Sequence, residues 1–383
     1  MLMPERETPH RIFISAAEPS ADALCAALID ALKTTGKTFE FVGLGGPKMA
    51  AAGCQLLEQT TDKAAMAYNA FGKVLHFWKI LGRVKTFLKN NKIDLVIVCD
   101  SPAFNFHIAK AAKKAGIKTM FYVAPQLWAW APWRIRKLRK CCDKLVCLLP
   151  FEEDWFKSRG VDATFVGHPL LDELGEDISR YKKDYSTFDP KNAKILLLPG
   201  SRPAEIDTLW KPMQQIVLRL KRKYPHLKAT TVTFDEKTRK LLRNRHTVGF
   251  NCEYIAGSVT DAAMNNDFAI VASGTATLQV AAAGCPMAVM YQSSRLMWHM
   301  LGRWLIKTKN LSLVNILAGK ELVLEFMPYF KSIDPLVPTI SGLLQNKERL
   351  SQLSIDLIDL TRPLHRENAS AKTAEITVNL VNP

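Results

Sequence analysis

The sequence predicts an α/β protein made of two doubly wound, Rossmann-like domains. Three observations carry that expectation. Short apolar runs alternate with segments of helical periodicity through the first half of the chain; the alternation stops in a polar stretch at 175–192; and then it restarts. The runs are apolar without interruption, as in parallel strands covered by helices on both faces.

The first domain should hold strands at 11–17, 39–46, 94–100, 118–124, 143–150 and 163–167. Helical spacing of apolar residues marks 20–35 and 105–116. "GEDISRYKKDYSTFDPKN", 175–192, is polar and charged and is expected to be a linker. The second domain should place strands at 194–200, 228–234, 267–273 and 286–291, with a long helix running from the first of these to about 223. Residues 333–380 read as mainly helical. The expected domains are thus 1–175 and 190–345, with C-terminal helices over 346–383 packing back on the first domain. In such folds ligands bind beyond the carboxyl ends of the strands, here toward a central cleft between the domains.

A chain of 383 residues with 48% apolar and 23% charged residues is globular rather than disordered. No apolar run reaches the roughly 18–20 residues that span a bilayer. The N-terminus lacks the basic start and apolar run of a signal peptide. The eight cysteines form no CxxC pairs, and Cys99, Cys147 and Cys285 sit in apolar runs, which suits a reduced, cytoplasmic protein. The net charge of +16 favours polyanions: nucleic acid, acidic lipid surfaces or phosphorylated substrates. A basic nucleic-acid-binding protein is disfavoured because no RNP, helix-turn-helix or zinc-finger pattern occurs.

The loops after the strands carry the chemistry. "AAEPSAD" puts Glu18 at the mouth of the site and Ser20 at a helix N-cap position. It lacks a GxGxxG pattern, which argues against a nicotinamide cofactor. "GLGGPKM" (43–49) is Gly-rich but follows the second strand and lacks the third glycine of a GxGxxG pattern. "VIVCDSPAFN" ends a buried strand at Asp100, a carboxylate placed for general-base work. "APQLWAWAPWRIRKLRK" sets three tryptophans beside five cations. Trp128 and Trp130 are candidates for the site, whereas Arg136, Lys137, Arg139 and Lys140 fit a solvated helix face. "LLLPGSRPAEI" runs a strand into a turn carrying Gly200, Ser201 and Arg202. "VASGTATLQVAAAGCPM" supplies Ser273, Gly274 and Thr275 ahead of a helix of small residues with Gln279. Two such turns on one side of a sheet suit a nucleotide diphosphate, because helix N-termini attract anions. With no DxD motif and no cluster at ligand spacing, no metal or cofactor is required. Basic amphipathic stretches at 73–92 and 295–310 suit either a core-facing helix or an acidic membrane surface.

"EPSAD", "GGPKM", "CDSPAFN", "YVAPQLWAW", "LLPFE", "GHPLLD", "LPGSRPAEI", "ASGTATLQVAAAGCPM" and "SLVNILAG" occur in the order found in lipid-A-disaccharide synthases, and the chain resembles that family over about 11–366. The resemblance implies a GT-B fold and an inverting, metal-independent glycosyltransferase, peripherally bound at the cytoplasmic face of the inner membrane. It implies UDP-2,3-diacylglucosamine and 2,3-diacylglucosamine 1-phosphate (lipid X) as substrates, and a homodimer is compatible with it. By the same resemblance Asp100 matches the family's essential aspartate and Arg202 the arginine that neutralises departing UDP. Asn315 matches an asparagine near the nucleotide, and Glu18 and Ser20 match polar loop positions. Ala17 and Ala21 replace family glycines, Ala103 replaces a common acidic residue, and Gln279 replaces a glutamate often aimed at the ribose. These departures leave room for an altered substrate preference or a slow paralogue. A UDP-N-acetylglucosamine 2-epimerase is the alternative within the fold, but it needs more carboxylates than the motifs supply.

Overall fold

The continuously apolar runs fold as parallel strands at the centres of two separate sheets. The computed structural model describes residues 8–61, 70–172, 174–175, 177–233, 235–293, 308–365 and 368–382, and side chains at 70–74 are left aside. The chain divides into two units, Met1–Asp172 with Arg366–Pro383, and Glu173–His365.

In the first unit the described strands are β1 (His10–Ala16), β2 (Phe39–Gly45), β3 (Gln55–Gln59), β4 (Leu95–Cys99), β5 (Lys118–Tyr122), β6 (Lys144–Cys147) and β7 (Ala163–Phe165). They form a parallel sheet in the order β3-β2-β1-β4-β5-β6-β7. The chain moves outward from β1 through β2 to β3, then returns to the other side of β1 as β4. Strand order therefore reverses between β1 and β4, where Ala16 lies beside Cys99. One face buries Ile12, Ile14, Leu95 and Ile97 against Cys25, Leu28, Ile29 and Leu32 of the helix Pro19–Lys33. β3 escapes a search for apolar runs because it is short, edge-lying and only half-buried.

In the second unit the described strands are β8 (Lys194–Leu198), β9 (Lys228–Val232), β10 (Glu253–Ile255), β11 (Phe268–Ala272), β12 (Met287–Met290) and β13 (Leu324–Phe326). Their order is β10-β9-β8-β11-β12-β13, again parallel, with the reversal between β8 and β11. The helix Pro203–Lys223 starts on a proline at its first turn and buries Ile206, Leu209, Trp210, Met213, Ile216, Val217 and Leu220. β10 and β13, three residues each and at the sheet edges, carry no sequence signal of their own.

Two expectations about domain limits need correction. Residues 175–192 are a strap on the second unit rather than a solvated linker. Ile178 and Tyr185 are buried, Tyr185 Oη donates to the Asp267 carbonyl at 2.5 Å, and Lys183 Nζ donates to the carbonyls of Ala263 and Met264, both at 2.8 Å. The charged composition hides those two apolar anchors. Likewise, only the last helix, Ala369–Val381, lies on the first unit, where it packs on Pro19–Lys33 and Asp172 Oδ1 accepts from the Ala369 N–H at 3.2 Å. The helix Lys347–Thr361 stays on the second unit. It buries Leu350, Leu353, Leu357 and Ile358 and packs on Ala276–Ala282, whose small side chains allow close approach.

The two amphipathic stretches have different outcomes. On the helix Ala70–Asn90, Ile80, Leu81, Val84 and Leu88 are buried, but Leu75 and Trp78 are exposed. Thus the C-terminal part of the apolar face belongs to the core, while Leu75 and Trp78 stay at the surface. The second stretch, 295–310, lies outside the described residues except for 308–310. Among the described residues, no helix is long and apolar enough to cross a membrane.

Candidate active site

Each sheet gathers its polar loop residues where its strand order reverses, the position at which open parallel sheets bind ligands. In the first unit the turns after β1 and β4 bring Glu18 and Asp100 to that point. The backbone there is strained. Asp100 and Ser101 have φ of 53° and 43°, and Val123, after the neighbouring β5, has φ of 72°. An aspartate tolerates this region, but a β-branched valine rarely adopts it. Such strain is held only where surrounding bonds over-determine the turn, and it concentrates at functional sites.

Those bonds are present. The Asp100 N–H donates to the Tyr122 carbonyl at 3.3 Å. Asn105, fully buried in the helix Pro102–Lys114, donates through Nδ2 to the carbonyls of Cys99 and Asp100, at 2.9 and 2.7 Å. Its Oδ1 accepts from Ser15 Oγ on β1 at 2.8 Å. One buried amide thus fixes the end of β4 against β1 and turns Asp100 outward, where it is exposed. Ser101 Oγ reaches Glu18 Oε1 at 3.5 Å and joins the two turns.

Ser20 is not the N-cap. Glu18 occupies the cap position and Pro19 the first helical position, so Ser20 is an exposed residue inside the first turn. Proline's fixed φ sets the start of the helix two residues earlier than the serine suggested. The Gly-rich "GLGGPKM" turn is also accounted for within the unit. Buried Asp22 accepts from the N–H groups of Gly46 (2.8 Å) and Met49 (3.1 Å) through Oδ1 and of Lys48 (3.0 Å) through Oδ2.

In the second unit, Gly200, Ser201 and Arg202 follow β8, and Ser273, Gly274 and Thr275 follow β11, on adjacent strands. The two turns therefore share one edge of the sheet. Gly200 has φ of 99°. A Cβ there would also lie 2.2 Å from Glu205 Oε2, so glycine is required twice over. Glu205 itself was not singled out by the sequence. Its Oε2 accepts from the Arg202 N–H at 3.2 Å and its Oε1 pairs with Arg202 Nη1 at 3.3 Å. The carboxylate thus takes a donor at the helix start, and the arginine side chain, well exposed, is the cation this turn presents. Opposite it, Thr277 Oγ1 donates to the Gly274 carbonyl at 2.7 Å and stiffens the second turn. Gln279 is half-buried on the helix Ala276–Ala282.

Asn315 differs from the other residues. It is fully buried, and all four hydrogen-bonding positions of its amide are used within the protein. Nδ2 donates to the Val323 carbonyl (3.0 Å) and Glu325 Oε2 (2.9 Å), and Oδ1 accepts from the N–H groups of Leu322 (2.9 Å) and Val323 (3.0 Å). Glu325 also accepts from Leu311 N, Ser312 N and Ser312 Oγ. Asn315 is the buried brace of that loop, not a side chain presented to a nucleotide.

A doubly wound parallel sheet in each of two units, with polar turns gathered where each strand order reverses, defines an α/β protein of GT-B architecture. Solved structures share this fold: the UDP-GlcNAc 2-epimerase of Neisseria meningitidis bound to UDP-GlcNAc (TM-score 0.62, 13% identity, 97% of this chain and 100% of that one) and Acinetobacter baumannii MurG (TM-score 0.58, 13% identity, 97% and 100%). A family model described as lipid-A-disaccharide synthetase matches residues 12–379. The lipid-A-disaccharide synthase of Trichlorobacter lovleyi is 30% identical over 97% of this chain and 98% of its own length. Lipid-A-disaccharide synthase 1 of Legionella pneumophila strain Philadelphia 1 is 33% identical over 96% and 97%. The chain belongs to the lipid-A-disaccharide synthase family, glycosyltransferases of lipid A biosynthesis.

Proposed function

We propose that the first unit receives lipid X and the second unit UDP-2,3-diacylglucosamine, and that the products are the β-1,6-linked disaccharide 1-phosphate and UDP. Asp100 takes the proton of the acceptor 6-hydroxyl as that oxygen attacks C1 of the donor sugar. The C1–O bond to UDP breaks on the opposite face, which inverts C1. Arg202 balances the charge that develops on the leaving diphosphate, aided by the Ser201 and Ser273–Thr275 turns. Glu18 holds the turn of Asp100 through Ser101 and adds a second carboxylate beside the acceptor. The observation that carries this reading is the coincidence of Asp100 with the reversal point of one sheet and Arg202 with that of the other.

The same reading makes the protein peripheral, on the cytoplasmic face of the inner membrane. The exposed Leu75 and Trp78 support it, together with exposed Lys79 and Lys85 on the same helix and a net charge of +16. Exposed apolar side chains on a helix that also exposes lysines suit a surface of anionic lipid. A mass-spectrometric assay with both substrates in detergent, with and without EDTA, tests the proposal. Disaccharide and UDP should form in equal amounts in both conditions, and failure to form them, or a requirement for divalent metal, overturns it.

A further inference from the structure

The loop after β5 is built around a side chain that the chemistry above does not use. It opens on Val123, whose positive φ is the least tolerated of the three strained residues at this edge, and leads into the short helix Leu127–Trp130. Trp128 on that helix is half-buried. Its Nε1 donates at 3.0 Å to Oε1 of Glu152, a carboxylate only 2% exposed whose Oε2 accepts from the Leu149 N–H at 3.2 Å. Phe151 packs edge-on to the indole at 4.9 Å and 82°. The indole is therefore held at its N–H and against one ring contact, with little rotamer freedom left.

Burying a carboxylate to hold an indole is costly, because no cation pairs with it among the described residues. An apolar pair would pack the same space at less cost, so the arrangement serves placement rather than stability. Where it places the ring follows from topology. β5 is the direct neighbour of β4, Tyr122 bonds the Asp100 N–H, and Trp128 lies six residues beyond Tyr122 on the same edge of the sheet. Trp130, two residues on, already has the Arg134 guanidinium over its ring at 5.0 Å.

We infer that Trp128 is a stacking platform for the glucosamine ring of the acceptor, and that Glu152 is the positioning residue that fixes its indole. The axial C–H groups on one face of a pyranose pack on an aromatic face, and tryptophan offers the largest such face. A ring seated there fixes the direction of its 6-hydroxyl, which a flexible apolar side chain would not do. The inference rests on the reading that the first unit binds the acceptor and that Asp100 is its base.

The test combines kinetics with direct binding on the full chain, using Trp128→Ala, Trp128→Phe and Glu152→Gln. For Trp128→Ala the KM for lipid X should rise about tenfold, with the KM for the UDP-sugar within twofold of wild type. Trp128→Phe should recover part of the loss, and Glu152→Gln should show a smaller rise in the same KM. Titrating lipid X into detergent-solubilised wild type should change tryptophan emission, and most of that change should vanish in Trp128→Phe. An equal rise in both KM values, or an emission change untouched by Trp128→Phe, overturns the platform. A wild type that makes no disaccharide yet shows the Trp128-dependent emission change leaves the platform standing and overturns the catalytic reading instead.

Discussion

Ser101 Oγ lies 3.5 Å from Glu18 Oε1, a long hydrogen bond that ties the turn after β4 to the turn after β1. It links the two loops on either side of the strand reversal, and Asp100 is the residue next to it. The bond is weak by its length, so its removal should be felt through the position of Asp100 rather than through stability. Ser101→Ala should lower kcat only a few-fold. Asp100→Ala should lower kcat by about 10²–10⁴, the range for loss of a general base, with unchanged thermal unfolding. Steady-state UDP release gives both numbers, and comparable losses in the two variants would place the base elsewhere.

Glu152 gives the protein a pH dependence of a definite sign. Burial pushes its carboxyl up from 4.5 to about 7, against the hydrogen bonds from Trp128 and Leu149 that favour the charged form. Between those two values the folded chain holds a proton that the unfolded chain has released, so stability falls as pH rises from about 4.5 through 7 and stays lower above it. The size is on the order of 3 kcal/mol at most. Glu152→Gln removes the ionisation but also one of the two acceptors, so the pH trend is the readout. Melting curves should show the variant gaining on wild type between pH 5 and pH 7 and the gap levelling off above that, and a gap that does not widen would refute a buried ionisable carboxyl.

The turn after β8 should tolerate no side chain at Gly200. A left-handed φ and a Cβ placed 2.2 Å from Glu205 Oε2 act together. In Gly200→Ala the carboxylate must move, and with it the bond that sets Arg202. Strain of about 1–3 kcal/mol is expected from the backbone alone. Kinetically the variant should resemble a mild Arg202→Ala, which itself should lower kcat by about 10²–10³ through lost stabilisation of the leaving group. Circular dichroism at fixed temperature separates the two effects, and a Gly200→Ala enzyme with wild-type kcat would mean Arg202 is not aligned by this turn.

Much of this was legible in the sequence. Strands that bury both faces announced themselves as unbroken apolar runs, and the turns holding Asp100, Arg202 and Ser273–Thr275 could be placed at strand ends because strand-to-loop boundaries are sharp in such runs. What escaped depended on long-range pairing. β3, β10 and β13 are short edges that become strands only beside a partner. Tyr185 and Ile178 sit among charges, so the strap they anchor read as a solvated linker. Asn105 and Glu205 do their holding through contacts with the backbone of turns whose shape no pattern reveals, although both stand within the motifs that named the family. The N-cap was misplaced by Ser20 because proline at the next position up the chain sets the helix start.

The surface half of the helix Ala70–Asn90 should govern membrane binding. Leu75 and Trp78 are more than half exposed, at 56% and 52%. Phe77 stacks edge-on to Trp78, Phe104 and His107 and backs the patch from below. Transferring one such side chain from water to an apolar phase contributes about 1.5–3 kcal/mol. Leu75→Ser with Trp78→Ser should therefore weaken binding to vesicles containing anionic phosphatidylglycerol by tenfold or more. Raising salt should weaken wild type as well, by screening Lys79 and Lys85 on the same helix. Co-sedimentation measures both, and a double variant that binds as wild type does would move the contact to another surface.

Asn315 separates what resemblance suggested from what the fold does with the residue. A side chain that bound the nucleotide directly would keep donors or acceptors for it, but all four positions of this amide are engaged in the protein. Asn315→Ala would take a buried partner from the Val323 carbonyl and from the Leu322 and Val323 N–H groups, while Glu325 Oε2 keeps its bonds from Ser312. A buried group left unsatisfied costs about 1–3 kcal/mol, and neighbouring losses do not add fully, so a fall of roughly 3 kcal/mol in unfolding free energy is expected. The Ser312–Asn315 loop would loosen, so the KM for the UDP-sugar should rise as a secondary effect and recover in part at lower temperature. Urea unfolding beside initial-rate kinetics distinguishes the cases. Unchanged stability with a large rise in that KM would mean the amide leaves its brace and reaches the nucleotide during turnover.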